Sequence, residues 1–397
     1  MAALRLDKLD YASAAGFLAY SASVVVTPIV LLALAEDLSF GLAQGGGIEA
    51  VRAGFLMAIL VASGFAASHW GKVAVLAGGS LILGAGLIAY AVAPAYSVVL
   101  LAIVLVGLGG GVVEALINPL IQDVHPNDSG RYLNIVNAFF SVGVLLAVLV
   151  TGELLTRGVS WRFMVGAVGV LAIASAVLFV VRGQEEFRRE AARRAARGRE
   201  ANTFRHARTI LREPAFWVFA LAMFCGGGAE GAFTFWSASY IQLNFDAVAR
   251  AGGLGTAVFA GGMVLGRLAS GRFVHQGGLP TLILASALTG VAMSLFAFFV
   301  NNMIGFFALL FGAGLSIACF WPSIQSHAAA VMRVDATMLF ILLSVAGIPG
   351  FGFTSWAMGL IGERVGLRYS LLVIPALLAV LAGVMVFERI SARTSRP

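Results

Sequence analysis

Apolar runs of about 20 residues, the length that crosses a bilayer as helix, recur along this whole chain and leave few folds open to it. Inside hydrocarbon every backbone N–H and C=O must find a partner within its own element, so such runs read as membrane-spanning helices. Twelve are expected, over 11–34, 50–68, 73–93, 96–122, 132–155 and 161–182, then 214–243, 251–274, 279–299, 302–330, 335–361 and 367–388. Composition removes the soluble alternative. Of the 397 residues 60% are hydrophobic and 11% charged, with mean hydropathy +0.95, against roughly 25% charged in ordinary soluble domains. The expected fold class is an all-α membrane protein of twelve transmembrane helices.

One long polar segment, 183–213, divides the runs six and six. The expected organisation is an N-terminal six-helix half over 1–182, a linker over 183–213, and a C-terminal six-helix half over 214–397. Ten arginines fall between Arg182 and Arg212. Glu185 with Arg189 and Glu190 with Arg194 are spaced for helical ion pairs, so a solvated or amphipathic linker helix is the plain reading and anionic lipid a second one. Short-loop lysines and arginines set orientation. Arg5, Lys8, Lys72, Arg131, Arg267, Arg272, Arg333 and the tail from Arg389 fall on the linker's side; Arg52, Arg157, Arg162, Arg250, Arg364 and Arg368 fall on the other. This bias expects linker and both termini on the cytoplasmic side of a cell (inner) membrane. The net charge of +7 then belongs to topology and not to a nucleic-acid surface. No cleavable leader is expected, because no small-residue site bounds a short apolar core near the start. Cys225 and Cys319 read as packing residues without metal-ligand spacing, and neither metal nor cofactor is expected.

Chemistry concentrates in Gly107–Gly143. Glu114, Asn118 and Gln122 recur every four residues and share a helix face; Asn134, Asn137 and Ser141 do so on the next run. A carboxylate within a span costs about 2.5–3.5 kcal/mol on insertion scales and is a functional candidate by default. Glu230, with Thr234 and Ser237 on its face and Cys225-Gly-Gly-Gly beside it, is the second such acid. Either can load a proton from one side of a membrane and release it to the other, so both are candidate proton-coupling residues; a neutral acid bonded to a neighbouring helix is the structural alternative. The amides of Asn118, Asn134, Asn137 and Gln325, with Ser323, supply donors and acceptors for a polyhydroxyl ligand. Trp236, Tyr240, Trp321 and Trp356 have flat faces suited to a sugar ring, and Trp236 and Trp321 adjoin the polar clusters; a belt or core role competes for each. His327 reads as a satisfied or water-facing histidine ahead of a proton relay. Pro119 and Pro322 interrupt their helical ladders. Enzyme motifs such as Gly-x-x-x-x-Gly-Lys-Ser and Gly-x-Ser-x-Gly are missing from the chain. Gradient-driven transport, not catalysis, is the function class expected.

The halves repeat at an offset of 207 residues: Gly64 to Lys72 matches Gly271 to Gly278, and Gly152 matches Gly359. Six plus six with these loop repeats resembles the major facilitator superfamily. Ser68 and His275 stand at the aspartate position of that superfamily's loop motif, and His69 and Gln276 at its arginine position. The resemblance implies parallel repeats with a small-molecule substrate held near the midplane. Gly109-x-x-x-x-Glu114-x-x-x-Asn118-Pro119, Leu133-Asn134-x-x-Asn137-x-Phe139-x-x-x-Gly143, Gly228-Ala-Glu230 and Gly314-Leu315 with Trp321-Pro322-Ser323-Ile324 are similar to the fucose permease branch, the fucose–galactose–glucose:H+ symporters. That likeness implies a proton or substrate role for Glu114 and sugar hydrogen bonds from Asn118, Asn134 and Asn137. Where the branch has a glutamine and an asparagine, Asn137 and Phe140 stand here, and Val24 falls near the place of its first-span aspartate. The expectation is monosaccharide uptake with protons, by a monomer in a lipid bilayer. A drug or metabolite exporter, a sodium-coupled carrier, a uniporter and a non-transporting receptor are the alternatives.

Overall fold

Helix is the only regular structure among the described residues, as hydrocarbon surroundings demand. The computed structural model of the chain describes residues 7–125, 129–184, 203–274, 276–332, 334 and 336–394. The first six helices are α1 (Lys8–Leu38), α2 (Leu42–Trp70), α3 (Lys72–Ala91), α4 (Tyr96–Val124), α5 (Ser129–Thr156) and α6 (Trp161–Arg182). A linker helix, α7 (Thr203–Arg212), precedes α8 (Pro214–Asn244), α9 (Ala249–Phe273), α10 (Leu279–Phe299), α11 (Met303–Ile317), α12 (Phe320–Met332), α13 (Ala336–Val365), α14 (Leu367–Ser370) and α15 (Val373–Thr394). Eleven stretches are long and apolar enough to cross a membrane, with α11 and α12 making one and α14 and α15 another. A twelfth is α2, bent by 45° between Leu42–Leu60 and Ala62–Trp70. The paired charges expected at 185–194 lie outside the described residues, as does His275.

The second span differs most from expectation. It is expected over 50–68, and Gly45, Gly46 and Gly47 before it each disfavour helix by about 1 kcal/mol relative to Ala. Instead α2 begins at Leu42. Gly46 lies where a Cβ would strike the Ser355 backbone of α13, and Glu363 of α13 accepts a hydrogen bond from the Ala43 N–H at 2.9 Å. Packing and a cap from another helix override the local preference. Arg52, counted among the loop cations although the expected span contains it, lies well inside the helix with only 7% of it exposed.

The chain forms two compact units, Met1–Ser39 with Val51–Arg199, and Phe40–Ala50 with Glu200–Pro397. Within the first, α1 packs on α4, α5 and α6, and α3 on α4 and α6; within the second, α8 packs on α9, α13 and α15. Small residues let these helices close up. A Cβ on Gly350 of α13 would meet the Phe224 carbonyl of α8, and one on Gly143 of α5 would meet Leu18 and Ser21 of α1.

The 207-residue offset reappears in the packing. A Cβ on Gly107 would meet the carbonyl of Arg52 and the amide of Leu56; one on Gly314 would meet the carbonyl of Phe259 and the amide of Met263. Every partner is displaced by 207 positions. Nearly in register, Arg162 donates to the Ala91 carbonyl at 3.1 Å, and Arg368, 206 residues on, donates to the carbonyl of Phe298, the counterpart of Ala91, at 2.8 Å.

Candidate functional site

Polar groups gather in one cluster in each unit. In the first, Glu114 lies on α4 behind Gly107 and Gly111, whose bare faces let α2 come close. Glu114 is exposed, and Arg52 of α2 is its charge partner. One turn further along α4, the Asn118 carbonyl accepts from the Asn137 amide of α5 at 2.8 Å. Asn118 is half-buried and Asn137 exposed, so the pair joins two helices while keeping an open side. The side chain of Asn134 lies outside the described residues. Below this cluster Lys72 donates to the Pro119 carbonyl at 3.1 Å and pairs with Asp123 at 2.7 Å, fixing the start of α3 against the end of α4.

The second cluster is built around a helix break. Pro322, in the first turn of α12, has no N–H to give the carbonyl four residues back, which is Ala318. Arg267 of α9 takes that carbonyl through Nε at 3.3 Å. Its Nη2 reaches Oε1 of Glu230, midway along α8, at 3.4 Å. The indole of Trp321 lies beside the same carboxylate. Trp321 is half-buried, its ring against Gly347 and Gly227. Further along α12, Gln325 donates to Ser344 Oγ of α13 at 3.0 Å. Gln325 and Ser344 stand 207 residues after Asn118 and Asn137, so the amide link between neighbouring helices occurs twice.

Other sequence candidates lie apart from these clusters. Trp236 is 1% exposed, and its N–H donates to the Ser355 carbonyl at 3.0 Å: the ring fills the core of the second unit. Tyr240 is buried and stacks on Phe306 with ring centres 4.7 Å apart. Ser323 is buried, and Trp356 is exposed beside Phe353. His327 is buried against Phe219, with Glu388 at 3.3 Å. Cys225 and Cys319 are buried and unlinked, and no group able to hold a metal occurs among the described residues.

Both arginines were missed as site residues. Arg52 and Arg267 were counted as loop cations, yet each sits in a helix and faces a carboxylate. For Arg267 the sign was present, since the expected span 251–274 already contained it. For Ser344 it was the 207-residue repeat. Glu49, 3% exposed in α2, is a further acid that the short reading of that span left outside.

Known proteins agree with this architecture. The chain is 26% identical over 356 residues to the membrane protein MosC of Rhizobium meliloti, covering 88% of this chain and 82% of that one. Solved transporters share the fold. A bacterial homolog of the human lysosomal transporter Spinster superposes with TM-score 0.75 at 16% identity, covering 95% of each chain. A D-xylose-proton symporter gives 0.73 at 13% identity, over 95% of this chain and 96% of that one. The nucleoside transporter NupG gives 0.76 at 14%, over 96% and 98%. The model of the Major Facilitator Superfamily matches residues 12–348, and the chain belongs to that superfamily of membrane transporters.

Proposed function

We propose that this transporter takes up a monosaccharide or similar polyhydroxyl solute together with protons, by alternating access, as a monomer in the inner membrane with both termini cytoplasmic. The observation that carries the reading is the Asn118–Asn137 pair one helical turn from the exposed Glu114. The bond between the amides uses one donor and one acceptor, and the Asn118 NH2 remains to meet a hydroxyl. Charged, Glu114 is held by Arg52; protonated, it presents an O–H and leaves the site one negative charge lighter. Gln325 with Ser344, and Trp321 beside Glu230, supply the corresponding polar and flat groups in the other half. The likeness of these stretches to the fucose permease branch supports a sugar, and the sugar and nucleoside carriers among the fold's neighbours are compatible with one.

Flux into liposomes under an imposed pH gradient, over a panel of hexoses, tests this. A driving ion contributes about 2.3 kcal/mol per charge per 100 mV, so coupling shows as accumulation above the outside concentration. Glu114→Gln is expected to abolish that accumulation while sugar-for-sugar exchange continues. Undiminished accumulation in this variant removes Glu114 from coupling, and a sodium gradient that drives uptake where a pH gradient does not replaces the proton.

A further inference from the structure

The ion pair between Arg267 and Glu230, which joins two spans, is wider than three others of the protein. Lys72–Asp123 and Arg157–Glu153 close to 2.7 Å and Arg162–Asp37 to 2.9 Å, whereas Arg267 and Glu230 stand 3.4 Å apart through a single nitrogen. Low dielectric should draw such a pair together, and charge-assisted bonds ordinarily run about 2.7–2.9 Å. The Arg267 side chain is nonetheless 45% exposed, against 15% for Glu230. Its Nε is committed to Ala318 and its Nη2 reaches Glu230 at long range, while Nη1 has no partner among the described residues. Were the pair only structural, a closed two-pronged contact that used the guanidinium fork would be expected. What stands here is a guanidinium anchored by its stem, with its fork half open beside the ring of Trp321.

We propose that Arg267 is a carboxylate-binding residue of the substrate site, so that the solute carried is an acidic sugar or hydroxy acid and Glu230 is its competitor for the guanidinium. This rests on the reading of the protein as a carrier of small polyhydroxyl solutes. Charge balance gives the competition its direction. With Glu230 ionised the pair is neutral, and a second carboxylate would leave a net negative charge in a low-dielectric setting. A proton on Glu230 removes that excess and frees the fork, so proton and acid enter together. Arg267 from α9 and the Trp321 indole from α12 face Glu230. From α13 and α15, the nearest neighbours of Gly227, Gly228 and Gly231 beside Glu230 are Gly347, Gly350, Phe351, Thr354 and Leu377, none of which titrates near neutral pH. Trp321, wedged between the glycines of two helices, holds a fixed apolar face where a ring carrying the acid can lie.

Binding and liposome flux with full-length protein test this, using D-glucuronate, D-gluconate and L-lactate beside D-glucose and D-galactose. Expected are saturable wild-type binding of at least one acidic probe, tighter at acidic than at neutral pH, and loss of about tenfold or more of that affinity in Arg267→Gln. Glu230→Gln, which removes the competitor and keeps its shape, should bind the acid more tightly than wild type and lose the pH dependence. Arg267→Lys, keeping the charge without the fork, should fall between; with Glu230→Gln it carries the test if Arg267→Gln does not fold. The proposal is overturned if no acidic probe binds the wild type, or if binding is the same in all variants. Transport of neutral hexoses without competition from acids leaves the sugar reading standing and removes this one. Arg267-dependent lactate binding with no sugar bound does the reverse, and a panel that neither binds nor moves removes both.

Discussion

Two tryptophans of the second unit, chemically identical in sequence, have unlike roles because their indoles meet different partners. The Trp236 N–H ends on the Ser355 carbonyl in a closed core, while the Trp321 indole stands beside Glu230 at an open edge. Trp236→Phe removes a buried hydrogen bond and part of a core-filling ring, a loss of about 1–3 kcal/mol. The expected result is a lower melting temperature with ligand affinity unchanged; altered affinity at wild-type stability would place Trp236 in the site after all. At this scale the acids were legible and their partners were not. A carboxylate among leucines and valines stands out in any window, as Glu114 and Glu230 do. An arginine near a span's end has two readings, loop cation or helix interior, and only the register of helix against helix decides between them. Arg52 and Arg267 needed that register.

Elements show where local preference yields to packing. Three consecutive glycines argue against helix, yet α2 runs through them, with the bare backbone of Gly46 against α13 and Glu363 capping the start. The crossing of α8 and α13 depends on the same economy of volume. Gly350→Ala would place a methyl group on the Phe224 carbonyl, a backbone atom that cannot turn aside, and overpacking of this kind costs about 1–3 kcal/mol. Gly383→Ala, with nothing within 4 Å of the added carbon, supplies the contrast. A melting temperature lowered by the first and not by the second is expected in detergent, and equal temperatures would show that α13 shifts without loss. Helix existence was legible from apolar runs, whereas the break between α11 and α12 was half legible: Pro322 announced a freed carbonyl, and the structure shows Arg267 receiving it.

On the scale of the whole molecule, an even number of crossings returns both ends of the chain to one face of the membrane. In the proposed orientation, which follows the arginine-rich linker and the bias of short-loop cations, that face is the cytoplasmic one. Reporters fused at either end that are active only in the cytoplasm are therefore expected to work at both. Activity at one end alone would mean an odd number of crossings, with bent α2 as the first span to doubt. The duplication was legible as a 207-residue offset, and it is present in helix contacts and in amide links, but it was not carried into the charges. Glu114 corresponds to Trp321, and Glu230 to Ser23. The indole that stands opposite Glu114 in the repeat also has an optical consequence. Light absorption moves electrons in an indole from its pyrrole toward its benzene ring, and Trp321 has the Glu230 carboxylate beside it. Under the proposed role of Glu230, the emission of Trp321 would shift with the charge on that carboxylate, to be read in a variant that keeps Trp321 as its one tryptophan.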